Sequence, residues 1–166
     1  IEDRGEDAAP IETSFGELAT RSRRLAAGLA VLGVTRGDRV AIVLPQGVEA
    51  ALAHLAVYRL GAIAVPLAQR FGPEALGYRL AAAGCRLAVL DDGVLETLAA
   101  IETPLDALST LVVADRGSGF PDASPALAGF RHISFVAAEA HEPIEPPCVK
   151  TTPDDPAMII FTSGTT

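Results

Sequence analysis

Short apolar runs rich in valine, isoleucine and leucine alternate along this chain with segments whose apolar residues recur every three or four positions. A short, unbroken apolar run is typical of a strand buried on both faces, as in a parallel sheet. The predicted strands are residues 40–44, 63–65, 87–90, 111–114, 133–136 and 158–161. The alternation therefore predicts an α/β fold with a mainly parallel sheet and helices on both faces.

The helical segments have recognisable ends. Ser14 and Glu17 have the spacing of a capping box, and Gly33 is suited to a left-handed residue after the helix. The buried face of this first helix is predicted to carry Phe15, Leu18, Ser22, Leu25, Leu29 and Leu32. Three further helices are predicted over residues 47–60, 72–84 and 94–101.

Two stretches are predicted to be irregular. Residues 116–129 are rich in glycine, proline, serine and aspartate, which favour turns and loops. Residues 142–156 form a proline-rich connection that leads to the last predicted strand. We expect neither stretch to contribute a helix.

The charge of the chain limits its partners. A formal net charge of −8 repels nucleic-acid phosphates and anionic lipid, so neither is expected as a main partner. Three arginines cluster at Arg21, Arg23 and Arg24, on the predicted solvated side of the first helix. No apolar run approaches the ~20 residues that a membrane-spanning helix needs.

The cysteines and histidines suggest no metal site. Cys85 and Cys148 have neither metal-ligand nor redox spacing, so we expect two reduced thiols and a cytoplasmic protein. The histidines have no cysteine or carboxylate at ligand spacing, and each is predicted to be structural or solvated. They are His54, His132 and His141.

The remaining charged candidates also have plain structural interpretations. Asp91 and Asp92 follow a predicted strand and precede a glycine, which is typical of a turn. Asp154 and Asp155 are flanked by prolines and are predicted to lie in a solvated loop. Lys150 is predicted to be a solvated charge.

The last six residues contain the strongest candidate for chemistry. Thr162, Ser163, Thr165 and Thr166 place four hydroxyls around Gly164, directly after a predicted strand. Hydroxyls and backbone amides freed by a glycine can converge on a phosphate, and ligands of parallel sheets bind beyond the carboxyl ends of strands. The segment is not a Walker P-loop, because the chain has no G-x-x-x-x-G-K-[ST] pattern. A polar turn without a ligand remains the alternative at this point.

Four segments in order resemble the adenylate-forming (AMP-binding) superfamily, which includes acyl-CoA synthetases, aryl-CoA ligases, luciferases and the adenylation domains of peptide synthetases. Residues 161–166 (FTSGTT) match the first six positions of its phosphate-loop signature, an aromatic residue followed by Thr-Ser-Gly-Ser/Thr-Thr-Gly-x-Pro-Lys-Gly. The upstream segments are 13–18 (TSFGEL), 37–42 (GDRVAI) and 58–67 (YRLGAIAVPL). Residues 70–80 are most similar to the acetyl- and medium-chain acyl-CoA synthetase group.

The resemblance implies an AMP-forming ligase. In this family a carboxylic acid reacts with Mg²⁺-bound ATP to give an acyl-adenylate and pyrophosphate, and coenzyme A then captures the acyl group. Residues at the positions of Thr162, Ser163, Gly164, Thr165 and Thr166 hold the ATP phosphates. No residue of the chain is predicted to be catalytic or to bind a metal, because the family's other functional segments would follow Thr166.

The chain is accordingly predicted to be residues 1–166 of a partial N-terminal AMP-binding domain, inactive alone and inclined to self-associate through exposed apolar surface. Two alternatives stay open. The chain could be a catalytically inert α/β binding or interaction module derived from such a ligase. It could also be an unrelated flavodoxin-like nucleotide binder, although the turn at residues 45–47 lacks the glycine-rich loop expected there.

Overall fold

Parallel strands make up the centre of the molecule, seen in a computed structural model that describes residues 12–115, 127–143, 145 and 148–162. Within this part of the chain, five strands form one sheet in the order β2-β1-β3-β4-β5, and every neighbouring pair is parallel. The strands are β1 Arg39–Val43, β2 Ile63–Pro66, β3 Leu87–Asp91, β4 Thr110–Ala114 and β5 Arg131–Ser134. This order is one of the two common doubly wound arrangements, so the predicted α/β class with a parallel sheet is confirmed.

Helices cover both faces of the sheet. One face packs against α1, α2 and α5, and the other against α3 and α4. The helices are α1 Phe15–Val31, α2 Val48–Arg59, α3 Pro73–Ala83, α4 Leu95–Ala99 and α5 Phe135–Glu139, and a 3-10 turn over Asp92–Val94 leads into α4.

The period of two along each strand divides the apolar residues between two cores. In β1, Val40 and Ile42 face the first core, whereas Ala41 and Val43 face the second. All four of these residues are buried, which explains why the strands are unbroken apolar runs in the sequence. Side chains of α1, α2 and α5 complete the first core, and side chains of α3 and α4 complete the second.

Both predicted ends of α1 are confirmed. The backbone N–H of Glu17 donates to the Ser14 hydroxyl at 3.2 Å, and the Ser14 N–H donates to the Glu17 carboxylate at 2.7 Å. At the other end Gly33 has φ of 91°, and the Val34 N–H donates to the Leu29 carbonyl. This is a Schellman closure. Of the predicted face, Phe15 is 90% exposed, because it lies in the first turn beyond the edge of the core.

The prediction for residues 133–136 is wrong in its second half. The strand ends at Ser134, whose hydroxyl accepts the backbone N–H of Ala137 and so begins α5. Phe135 and Val136 are therefore helical. A serine before an apolar pair can extend a strand or cap a helix, and here capping is the outcome. The helix predicted over residues 94–101 is also shorter, and most of the loop predicted over 116–129 lies outside the described residues.

The prediction of a sixth strand at residues 158–161 is also wrong. Met158 makes one parallel bridge to Ala64 of β2, and no ladder follows. The outward-facing N–H of Ala64 donates to the Ala157 carbonyl. The next outward-facing position of β2 is Pro66, which has no N–H to donate. The side chains still alternate as in a strand, because Ile159 and Phe161 pack against the second core while Ile160 is exposed.

Helix α5 packs closely against α1. Arg21 donates twice to the carboxylate of Glu139, at 2.5 and 2.9 Å, so the prediction that Arg21 is solvated is wrong. A Cβ added at Gly28 would lie 1.9 Å from the backbone oxygen of Ala138. Only a glycine at this position allows the two helices to approach this closely. Arg24 is exposed, as predicted.

We predict that Gly28→Ala destabilises the chain by about 1–3 kcal/mol, because the added methyl overlaps rigid backbone and must push α5 away from α1. Urea unfolding of the chain measures the change. The control is Gly16→Ala, at an exposed position of the same helix where the nearest atom would be 3.8 Å away. It should be neutral or slightly stabilising. Equal effects of the two substitutions would contradict the close approach of the helices.

Candidate functional site

The last described segment of the chain lies beside β2, at the edge of the sheet. The Ala64 N–H donates to the Ala157 carbonyl at 3.0 Å, and the Ile159 N–H donates to the Ala64 carbonyl at 2.9 Å. The pairing is parallel, so residues after Ile159 run towards the edge at which all the strands have their carboxyl ends. Parallel α/β sheets bind ligands at this edge.

A cavity of about 420 Å³ opens at the same edge, beyond the carboxyl ends of β1 and β2. Its floor is apolar, with Leu44 and Leu67, and its polar groups come from Gln46 and His54. Helix α2 begins beside it at Val48, and its N-cap residue Gly47 has no side chain to accept a capping bond. The cavity belongs to the region that a ligand at this edge would occupy.

His54 has a local partner inside this region. Its Nδ1 atom lies 3.2 Å from the Tyr58 hydroxyl, one turn along α2, and burial lowers the pKa of its imidazole. The neutral form is therefore favoured near pH 7. The other histidines are held by backbone carbonyls, His132 by Leu127 at 3.0 Å and His141 by Ala138 at 3.2 Å. These contacts agree with the structural roles predicted for the three histidines.

The two cysteines differ in environment. Cys85 is buried, and burial raises the pKa of its thiol to about 12, so the thiolate is not accessible near neutral pH. Cys148 is exposed in the connection before the last segment. Both are free thiols, as predicted.

An arginine from the turn after α1 holds the proline-rich connection. Arg36 Nη2 donates to both carboxylate oxygens of Asp155, at 2.5 and 2.6 Å, and its Nη1 donates to the Lys150 carbonyl at 3.1 Å. The Thr152 N–H donates to the same carboxylate at 2.6 Å. The Thr152 amide, and then Arg36, hold the pKa of Asp155 below its usual range. Asp155 therefore lies in an exposed loop, as predicted, but its pairing with Arg36 was not predicted; Lys150 and Asp154 are exposed as predicted.

The turn at Gly61 packs against Arg36 and against the proline-rich connection, and so supports the tether formed by Arg36 and Asp155. Gly61 has φ of 62°, and a Cβ added there would lie 3.2 Å from Cγ of Arg36 and 3.4 Å from Cγ1 of Val149. The Val149 N–H also donates to the Arg59 carbonyl at 2.7 Å. The connection therefore crosses the end of α2 in a fixed position before its residues reach the edge of β2.

Phe161 anchors the last segment on the other side. Its ring packs against the second core, and Cζ of Arg79 lies 5.7 Å from the ring centroid. The same guanidinium carbon lies 4.2 Å from the centroid of Phe71. Arg79 belongs to α3, and its Nη1 donates to the Ala75 carbonyl at 2.7 Å.

Comparison with known proteins identifies the family. The family described as AMP-binding enzyme matches residues 6–166. The chain belongs to this family. It is 32% identical to the human mitochondrial acyl-coenzyme A synthetase ACSM5, over 95% of the chain and 26% of that protein. It is 33% identical to an acetyl-coenzyme A synthetase of Rhizobium meliloti, over 92% of the chain and 25% of that protein.

Solved structures agree with this assignment. A Brucella canis acyl-CoA synthetase superposes with a TM-score of 0.77 at 30% identity, over 93% of this chain and 27% of that one. The anthranilate CoA ligase AuaEII, solved with anthranoyl-AMP, superposes with a TM-score of 0.80 at 23% identity. The match covers 94% of this chain and 28% of that one. The chain thus spans about a quarter of the length of these relatives. An unrelated flavodoxin-like protein is excluded by membership of the family, although the strand order alone would have allowed it.

The structure places the start of the predicted phosphate loop. Thr162 is exposed and is the last described residue, directly after Phe161 at the edge of β2. Ser163, Gly164, Thr165 and Thr166 lie outside the described residues. A turn follows β3, as the position of Asp91 and Asp92 before Gly93 predicts: Asp92 begins the 3-10 turn, and Asp91 caps it by accepting the Gly93 N–H at 3.1 Å.

Sequence reasoning missed Arg36, Asp155 and Arg79 as residues that hold this segment. Arg36 and Asp155 are 119 positions apart, and no local pattern pairs them. Arg79 lies within the segment that resembles acyl-CoA synthetases, but its neighbours in space come from α3 and from the far end of the chain. The only available signal was that resemblance. The described residues contain no group of three or more histidine, cysteine or acidic side chains that could hold a metal, and no helix among them is long and apolar enough to cross a membrane.

We predict that Asp155→Asn loosens the connection, because the neutral amide cannot pair with Arg36 as the carboxylate does. Amide hydrogen exchange over residues 148–158 should quicken. The control is Asp154→Asn, which removes the same charge at the neighbouring, exposed position. It should leave the exchange rates unchanged. Equal exchange in the two variants would contradict the tether.

The same pair gives a pH dependence. The folded-state pKa of Asp155 is lowered, so its stabilising contribution is present above the unfolded pKa of about 3.9 and is lost as pH falls through the folded pKa. The gap in thermal midpoint between the unaltered chain and Asp155→Asn should therefore be present at pH 7 and should close below pH 4. A gap that widens as the pH falls would contradict this assignment.

Proposed function

We propose that the protein containing this chain is an AMP-forming acyl-CoA synthetase. It would join a carboxylic acid to coenzyme A at the expense of ATP. The acid's carboxylate oxygen attacks the α-phosphorus and pyrophosphate leaves, and the coenzyme A thiol then displaces AMP from the acyl carbon. We further propose that residues 1–166 are a partial N-terminal AMP-binding domain, with the start of its phosphate loop at residues 161–166.

One observation carries the proposal for the site. The segment after the proline-rich connection pairs in parallel with β2 and delivers Thr162 to the carboxyl edge of the sheet. We propose that Thr162, Ser163, Gly164, Thr165 and Thr166 bind the ATP phosphates there. The position supports this role, since parallel sheets bind nucleotides beyond the carboxyl ends of their strands.

The chemistry of these residues suits a polyphosphate. Hydroxyls and backbone amides are donors that carry no charge, and a glycine lets the backbone approach the phosphate oxygens closely. These groups add no positive charge, so the loop residues by themselves do not neutralise the triphosphate. No group of three or more histidine, cysteine or acidic side chains occurs among the described residues, and the resemblance assigns none of residues 1–166 to the Mg²⁺ that accompanies ATP.

Relatives of this chain suggest the class of acid. Their names include acetyl-, 3-hydroxypropionyl- and hydroxybenzoate-coenzyme A enzymes, so the acyl group varies within the family. We propose a small or medium-chain carboxylic acid, as in fatty acid activation, because residues 70–80 resemble the acetyl- and medium-chain group. A cytoplasmic location is proposed from the two unpaired thiols, although a relative is mitochondrial.

We propose that these 166 residues do not complete the reaction alone, because they span about a quarter of the length of the relatives. Alone, they would self-associate through apolar side chains left exposed, among them Ile160, which is 67% exposed just after the last hydrogen bond to β2. Concentration-dependent light scattering would test this, and a monomer at every concentration would contradict it.

The function is tested on the complete protein. It is incubated with ATP, Mg²⁺, coenzyme A and a panel of acids from acetate to decanoate and benzoate. We expect release of AMP and pyrophosphate with at least one acid, and formation of its thioester. If neither product forms with any acid, while ATP and partner proteins still bind, the result would support the alternative of an inert binding module.

Variants of the loop test the site assignment. Thr165→Ala and Thr166→Ala each remove one hydroxyl donor to phosphate, and should lower kcat/KM for ATP about 10- to 100-fold in the complete protein. The control is Thr20→Ala, at an exposed hydroxyl of α1. If neither loop variant changes kcat/KM for ATP, the assignment of this loop is wrong even if the protein is a ligase.

A further inference from the structure

Arg79 occupies an unusual position for an arginine. Its guanidinium carbon is within cation–π range of two rings, Phe71 at 4.2 Å and Phe161 at 5.7 Å. We propose that Arg79 is a positioning residue which, through the ring of Phe161, sets where the phosphate loop begins. The inference rests on the proposed function and assigns a role in it to a residue outside the loop.

The polar contacts of Arg79 do not explain its placement. Its Nη1 donates to the Ala75 carbonyl one turn earlier in α3, and its Nε is buried without a hydrogen-bond partner among the described residues. No described carboxylate forms an ion pair with it. A buried donor without a partner carries a desolvation cost, and attraction between the cation and the ring faces offsets part of that cost. The two rings are therefore its main partners.

The two rings belong to parts of the chain that are far apart in the sequence. Phe71 lies in the turn before α3, and both it and Phe161 pack against the second core. Arg79 thus connects Phe161 to a part of the molecule that the sheet holds rigidly. A cation reaching two rings fixes the ring of Phe161 more narrowly than apolar packing alone, because the attraction depends on the cation lying over the ring face.

Among the described residues, no backbone hydrogen bond after Ile159 holds the chain near Phe161. Hydrogen bonding to β2 ends at Ile159, and Pro66 cannot extend the ladder. Ile160 points into solvent, and Thr162 is exposed. Within the described residues, the side chain of Phe161 is consequently the last group of this segment that packs against the core. A small displacement there moves every donor that follows, and positional errors of about 1 Å can cost 10²-fold in such sites.

The test uses the complete protein with Arg79→Gln and Arg79→Lys. We expect Arg79→Gln to raise KM for ATP about three- to tenfold and to leave KM for the acid unchanged. Arg79→Lys keeps the charge but lacks the planar guanidinium, so its KM for ATP should lie between those of the unaltered protein and Arg79→Gln. The matched control is Arg23→Gln, because Arg23 also bonds the carbonyl four residues back, at 3.0 Å to Ala19, and is likewise half-buried. It should behave as the unaltered protein.

A second variant separates positioning from general destabilisation. Phe161→Leu removes the ring, so adding Arg79→Gln to it should change KM for ATP by less than twofold. The full three- to tenfold effect in the Phe161→Leu background would overturn the proposal, because Arg79 would then act without Phe161. A fall in kcat with an unchanged KM for ATP would also overturn it and would indicate a merely structural role.

Amide hydrogen exchange tests the role of Arg79 without relying on enzymatic activity. In the complete protein without ligand, Arg79→Gln should quicken amide exchange over residues 159–166 relative to Arg23→Gln. If the unaltered protein forms no AMP with any acid, the proposed ligase function fails, and exchange still decides on Arg79. Unchanged exchange over this segment in Arg79→Gln would overturn the positioning role whether or not the protein is a ligase.

Discussion

The missing amide hydrogen of Pro66 determines where the sheet stops and the candidate site begins. Ala64 of β2 bonds the incoming segment on both sides of Met158, and the next outward-facing donor would be Pro66. With no bond available there, the chain leaves the ladder after Ile159 while still running towards the carboxyl edge. Thr162, the first of the residues proposed to bind phosphate, therefore lies at the edge where the parallel strands end.

The rest of the fold keeps that edge in place through its two cores. The first holds α1 and α5 close together, because Gly28 presents no Cβ to the backbone of Ala138 and Arg21 pairs with Glu139. The second receives the rings of Phe71 and Phe161 beneath α3. The same strands separate the two cores, so the packing that stabilises the sheet also supports the base of the proposed loop.

The sequence predicted the elements whose signals are local. The Ser14–Glu17 box, the glycines after α1 and α3, and the unbroken apolar strands all depend on residues a few positions apart. Two errors came from choices that local patterns leave open: whether Ser134 continues a strand or caps a helix, and whether the last run finds a donor on β2. The Arg36–Asp155 pair could not be predicted, since its partners are 119 residues apart. The phosphate loop was recognised only through resemblance to a family.

The contacts around residues 155–161 bear on the conformational entropy of the segment proposed to bind phosphate, which has one glycine and four hydroxyls. Arg36 holds Asp155 before the bridge to β2, and Arg79 contacts Phe161 after it. Between these two points the backbone makes only its bonds to Ala64. Ordering a loop on a ligand costs conformational entropy for each residue that becomes fixed, about 1–2 kcal/mol of backbone entropy per residue. A base held at both points limits that cost to the residues after Phe161, which are the ones proposed to contact phosphate.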